Sequence, residues 1–153
     1  MSIQDEATQP TFSERFPRLA KDARRFQVRP GEEPWTLKEV RALAQDLLDE
    51  VDRLEVELSA ANKELEELLR NSGDGAGDDQ ADSGSSALER EHELTLVNNT
   101  RDLLAQNTLA LQRIAAGTYG TCEICGGPIG KARLQAFPRA TMCVDCKQRE
   151  ERR

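Results

Sequence analysis

The chain has 153 residues, 28 of them acidic and 21 basic, with a formal net charge of −7. Only 37% are hydrophobic and 4% aromatic, too few for one large globular core at this length. No run approaches the ~18 apolar residues of a membrane span, and the N-terminus has no apolar signal core, so a soluble, cytoplasmic protein is expected. The charge is also uneven. Residues 36–93 hold a net −11, whereas residues 118–153 hold a net +3. An acidic total repels nucleic acid at long range, and the basic end weakens that objection without removing it.

Residues 1–34 read as a flexible N-terminal arm. Pro10, Pro17, Pro30 and Pro34 punctuate it. Phe12, Phe16, Leu19 and Phe26 offer a short amphipathic helix at most. Trp35 is placed to staple the start of the following helix.

Residues 35–117 read as a helical hairpin. Thr36 and Glu39 form a capping box behind Pro34. Leu37, Val40, Ala44, Leu47, Val51, Leu54, Leu58, Ala61, Leu65 and Leu68 then alternate at spacings of three and four. That unbroken a/d pattern predicts a coiled-coil strand roughly 50 Å long. Residues 71–86, rich in Gly, Ser and Asp, predict a loop at the hairpin tip. A second capping box, Ser86 with Glu89, predicts the start of the return helix. Its apolar residues form two adjacent stripes, Leu94, Val97, Leu104, Leu111 and Ala115 beside Leu96, Leu103, Ala110 and Ile114. Gly117 ends it. Two long helices joined by a loop fold back antiparallel, which makes the acidic loop an exposed tip. His92, alone among charges, reads as an exposed helical residue.

Residues 118–153 read as a small cysteine module with a basic C-terminal helix. Cys122-x-x-Cys125 and Cys143-x-x-Cys146 are separated by 17 residues. This is zinc-site spacing: each Cys-x-x-Cys turn presents two thiolates, and two turns complete a tetrahedral shell. No open coordination position is left, so one structural zinc ion is expected and no catalysis. Iron fits the same spacing. Two disulfides or a dithiol redox pair are the other readings. The absence of a secretory signal argues against the first and the doubled motif against the second. The basic residues Lys131, Arg133, Arg139, Lys147, Arg149, Arg152 and Arg153 are either a solvated face or a contact surface for phosphates or carboxylates.

The segment from Tyr119 through Lys147 carries Cys122-Glu123-Ile124-Cys125-Gly126-Gly127-Pro128 and Cys143-Val144-Asp145-Cys146. It resembles the DksA/TraR zinc-finger family, and the order of arm, hairpin and cysteine module matches as well. The resemblance implies a mainly α fold: a long antiparallel coiled-coil hairpin with an acidic tip, a C-terminal four-cysteine zinc finger and a flexible arm. It implies direct binding to bacterial RNA polymerase, with the hairpin entering the secondary channel and altering transcription initiation. The family's tip pattern is Asp-x-x-Asp-x-Ala. Counting 43 residues back from Cys122 places Asp79, Asp82 and Gly84 on it, with glycine in place of alanine. Some members respond to guanosine tetraphosphate through basic residues. The matching positions here are Gln106, Phe137 and Lys147, and only Lys147 is a cation, so a response like theirs is not expected. The alternative function is a nucleic-acid-binding zinc finger on a coiled-coil dimerisation arm. A thiol sensor that releases zinc on oxidation is a third reading.

Overall fold

The structure, a computed structural model, describes residues 11–73 and 80–153, without the side chains of residues 72, 73 and 80–83. The described residues form helices α1 (Phe12–Arg15), α2 (Leu19–Asp22), a 3₁₀ turn (Ala23–Arg25), α3 (Leu37–Gly73), α4 (Gln80–Ala116), α5 (Lys131–Ala136) and α6 (Val144–Glu151). The chain divides into two compact units. One comprises residues 45–109, and the other, among the described residues, 11–44 with 110–153.

The unit of residues 45–109 is made of α3 and α4 packed against each other. Leu47, Leu54 and Ala61 of α3 are buried, as are Val97, Thr100 and Asn107 of α4. One groove is lined by Glu64, Glu67, Leu68 and Asn71 from the end of α3 and by Glu89, His92 and Glu93 from the start of α4, the pairing of an antiparallel hairpin. The seam of α3 follows the predicted heptads. That of α4 draws on the predicted stripes but leaves Leu94 and Leu96 exposed and adds two polar residues that neither stripe contained. Within this unit its buried positions are Val97, Thr100 and Asn107, with Leu104 half-buried among them, at spacings of three and four, and two of the buried residues are polar. Thr100 Oγ1 donates to Leu96 O at 2.8 Å and Asn107 Nδ2 to Leu103 O at 2.8 Å. Each of these two donors is thus satisfied inside its own helix. On the outer face of α3, Arg53 pairs with both Glu50 and Glu57 one turn to either side.

Two sequence expectations change at the hairpin tip. Residues 71–73 and 80–86 are helical, which corrects the predicted loop of 71–86 at both ends; residues 74–79 lie outside the described residues. Ser86 is therefore an interior helical residue and not an N-cap. Elongation of an established helix adds one hydrogen bond per residue, and this outweighs the weak propensities of Ser85, Ser86 and even Gly84. Asp79 lies outside the described residues, as does the side chain of Asp82; the backbone of Asp82 is helical. Gly84 is exposed in the second turn of α4, with open space where a Cβ would stand.

The other unit holds every aromatic residue of the chain, since none occurs between residues 45 and 109. Phe16, Leu19, Ala23 and Phe26 are buried with Trp35, Val40, Ile114, Tyr119, Ile129 and Leu134. The segment expected to be a flexible arm is, from Thr11 onward, part of this core. Its apolar residues sit on short helices that are too small to stand alone and are fixed by what they cover. Phe26 meets Tyr119 edge-on, with ring centroids 5.9 Å apart. Asp22, 4% exposed, lies beside the end of α4 and is reached by Arg18 at 3.6 Å.

The helix boundaries here have visible causes. Thr36 Oγ1 accepts from Glu39 N at 3.2 Å, and Glu39 Oε1 accepts from Thr36 N at 3.1 Å, the reciprocal bonds of a capping box. Helix α4 ends in a Schellman turn: Thr118 N donates to Arg113 O and Gly117 N to Ile114 O. Gly117 takes φ +80°, and a Cβ there would stand 2.8 Å from the Asp22 carboxylate. Only glycine meets both demands.

Candidate metal centre and its surroundings

The four cysteines converge. Cys122 and Cys125 flank a knuckle that closes through Cys122 N donating to Gly127 O at 2.8 Å and Gly126 N to Cys122 O at 3.0 Å. Gly126 adopts φ +72° there, the left-handed conformation a tight turn needs. A single antiparallel bridge, Thr121 to Pro128, squares the knuckle off. Cys143 and Cys146 stand at the start of α6, Cys143 as its N-cap residue. The module is pinned from within by Tyr119 Oη donating to Pro138 O at 2.7 Å, and burial pushes that phenol above its ordinary range.

The four Sγ atoms lie within 4.8 Å of one another, and none is in a disulfide. The Cys125 and Cys143 sulfurs are 3.8 Å apart. A tetrahedron of thiolates with Zn–S bonds of ~2.3 Å has sulfur edges of about 3.8 Å, so the cage fits the ion. All four cysteines are free thiols, which does not match the two-disulfide reading. Without a cation the thiols are in conflict. Burial raises Cys122, but the amides of Cys125, Cys143 and Ile124 point at its sulfur and bring it to about 6. Cys146 goes the other way, to about 12, through its contact with Cys143, its burial and the sulfurs around it. A dication removes the conflict by stabilising all four thiolates at once. No position in the cage is left for substrate or water, so the ion organises the fold.

A network joins this module to residues 26–39, which sequence reasoning left outside the site. Glu32 accepts from Lys131 N at 3.0 Å and from Ala132 N at 2.9 Å, closing the first turn of α5 from about a hundred residues away. It also accepts from Arg29 N at 2.7 Å. The Ala132 amide above all, with those of Arg29 and Lys131, holds the Glu32 carboxyl below its usual range despite partial desolvation. Lys131 Nζ bonds Glu39 at 2.8 Å and lies 5.4 Å from the centre of the Trp35 ring. That lysine bond is the main reason the Glu39 carboxyl is also lowered. Trp35 is 1% exposed, with its ring centroid 6.4 Å from that of Tyr119. No local periodicity in the sequence marks these pairs, because their partners are so distant along the chain.

A pH dependence follows. Both carboxyls are lowered in the folded state, so their contribution is complete above the unfolded value near 4.5 and is lost as the pH falls below it. Urea unfolding at a series of pH values should show wild type and Glu32→Gln differing most at neutral pH and converging below about pH 4. A difference that stays constant down to pH 3 contradicts this role for Glu32.

Of the other expected positions, His92 is exposed on α4, as anticipated. Gln106 is exposed on α4. Phe137 is 56% exposed, with the Arg133 guanidinium 5.9 Å from its ring centre, and Lys147 Nζ lies 4.0 Å from Glu151.

Residues 117–152 match the profile of the prokaryotic dksA/traR C4-type zinc finger. A Caulobacter vibrioides protein named RNA polymerase-binding transcription factor DksA is 47% identical over 75 residues, covering 49% of this chain and 53% of that protein. General stress protein 16O of Bacillus subtilis is 34% identical over 115 residues, covering 73% of this chain and 68% of its own. The solved structure of transcription factor DksA2 from Pseudomonas aeruginosa aligns with a TM-score of 0.59 at 32% identity, over 73% of this chain and 82% of that one. The chain therefore spans about half the length of its Caulobacter relative and larger shares of the other two. Two long packed helices together with a closed four-cysteine zinc module define a helical zinc-finger protein. More particularly, the chain belongs to the DksA/TraR C4-type zinc-finger family.

Proposed function

We propose that this protein binds bacterial RNA polymerase directly and regulates transcription initiation, without catalysis of its own, in the cytoplasm. The observation that carries the reading is the joint match, in sequence and in fold, to proteins named for that activity. The order of parts supports it: an N-terminal segment over 1–34, a hairpin over 35–117 and a zinc module over 118–153. In the finer reading the end of the hairpin enters the polymerase secondary channel, with Asp79 and Asp82 acting there. The charge pattern supports this, since residues 36–93 carry the net −11 and the zinc end is basic. Carboxylates at a helix-hairpin tip suit a hard cation or the basic residues around it. Gly84 has no side chain to hold the tip against its target, so its effect is expected to be weaker than that of an alanine-bearing tip. With Gln106 and Phe137 in place of cations, little enhancement by guanosine tetraphosphate is expected.

The test is a pull-down of core polymerase with wild type and with Asp79→Asn/Asp82→Asn, paired with transcription in vitro. Both proteins should bind and be displaced by transcript-cleavage factors of the same channel, and only wild type should alter initiation. Absence of binding at low salt defeats the proposal. A gel shift of free DNA with a steep salt slope supports a nucleic-acid-binding zinc finger instead.

A further inference from the structure

The peptide unit between Gly126 and Gly127 faces two ways. Its N–H, on Gly127, donates to the Cys125 sulfur at 3.4 Å. Its carbonyl, on Gly126, accepts from Gln27 Nε2 at 3.3 Å, and the same amide nitrogen reaches Thr121 Oγ1 at 3.3 Å. One side chain from the N-terminal segment thus holds the peptide that hydrogen-bonds a metal ligand. Cys125 needs such support, because it is the exposed member of the four. The glycine on each side leaves this peptide free to rotate unless something fixes its carbonyl. Gln27 is itself fixed from both directions. Phe26 beside it is buried against Tyr119, and the Arg29–Glu32 turn that follows is tied to α5 by the Glu32 carboxylate.

We propose that Gln27 is a positioning residue for the zinc centre: it orients the Gly126–Gly127 peptide so that its N–H stays on the Cys125 thiolate. The bond lowers the charge density on that sulfur and fixes its direction. Donation into the carbonyl also polarises the N–H at the other end of the same peptide. Outer partners of metal ligands characteristically change metal retention by 10–100-fold. The N-terminal segment, far from every ligand in sequence, thereby sets how firmly the ion is held.

The experiment uses the full chain loaded with zinc, and a second sample loaded with Co²⁺. Gln27→Met keeps the length of the side chain and removes the donor. Gln27→Glu places an oxygen against the Gly126 carbonyl. Both should transfer zinc to a chromogenic chelator about 10-fold faster than wild type or more, while Glu33→Gln, at an exposed neighbouring position, transfers at the wild-type rate. In the Co²⁺ forms, loss of the N–H···S bond raises the energy of the sulfur electrons. The thiolate-to-metal charge-transfer band should therefore move to longer wavelength, a change that looser packing alone does not produce. Wild type supplies a measurement that does not depend on any variant folding. Coupling is reciprocal, so removing zinc must speed amide hydrogen exchange across residues 26–32 as well as in the knuckle. Transfer rates within two-fold of wild type, an unshifted cobalt band, or exchange over 26–32 that ignores zinc would each overturn the assignment.

Discussion

Removing zinc is expected to abolish the near-ultraviolet circular dichroism of the aromatic unit and to shift Trp35 emission to the red. Trp35 is the only tryptophan in the chain, so its emission reports on this unit alone. Its ring stands near Tyr119 and Lys131, which flank the first knuckle on either side. The regular structure of residues 118–153 is limited to the short helices α5 and α6 and the single Thr121–Pro128 bridge. Structural zinc in small modules contributes ~10–16 kcal/mol of apparent binding free energy, comparable to the whole stability of a typical domain. The four thiolates left behind also repel one another until they take up protons. Titrating zinc back should restore both signals at one equivalent, and Cys143→Ser should give the metal-free spectrum from the outset. Retention of the native aromatic signal after the chelator has taken up one full equivalent contradicts the structural role of the ion.

Trp35→Ala should destabilise the zinc-loaded protein by about 3–5 kcal/mol, read as a lower urea midpoint in far-ultraviolet circular dichroism. The side chain is almost fully enclosed, and Tyr119, whose ring centroid lies 6.4 Å away, is held by its bond to Pro138 O. The loss has a second component. Lys131 is 13% exposed and lies over the ring, so truncation takes away one of its partners along with the apolar cover of its bond to Glu39. Trp35→Phe should cost only about 1–2 kcal/mol. It keeps a ring face under the ammonium and removes the indole Nε1, which is buried without a hydrogen-bond partner. Equal losses for the two substitutions contradict this account of the site.

The sequence alone determined the features that depend on near neighbours. The capping box at Thr36 and Glu39, the heptad seam of α3 and the helix stop at Gly117 are all set within a few residues, and each is present as read. The metal cage was legible for the same reason: each knuckle is a four-residue turn, and a doubled knuckle has one common use. The shortage of aromatics also acquires a place. Residues 45–109 contain none, because a seam of Leu, Val and Ala fills a two-helix interface, and all six lie in the other unit.

Tertiary structure alone decided what rests on distant partners or on competition between weak local preferences. Residues 80–86 have turn-like composition, yet they continue α4, since propagation of a helix outweighs poor propensity over a few residues. Thr100 and Asn107 look like surface residues in a hydrophobicity pattern; they occupy seam positions because their side chains bond their own helix backbone. Pro-punctuated residues 11–34 look like an arm, and their order comes from what they cover. Phe16 and Phe26 are buried, Glu32 closes α5, and Gln27 reaches the knuckle. Such contacts leave no periodic trace along the chain, because the two halves of each are brought together only when the chain has folded.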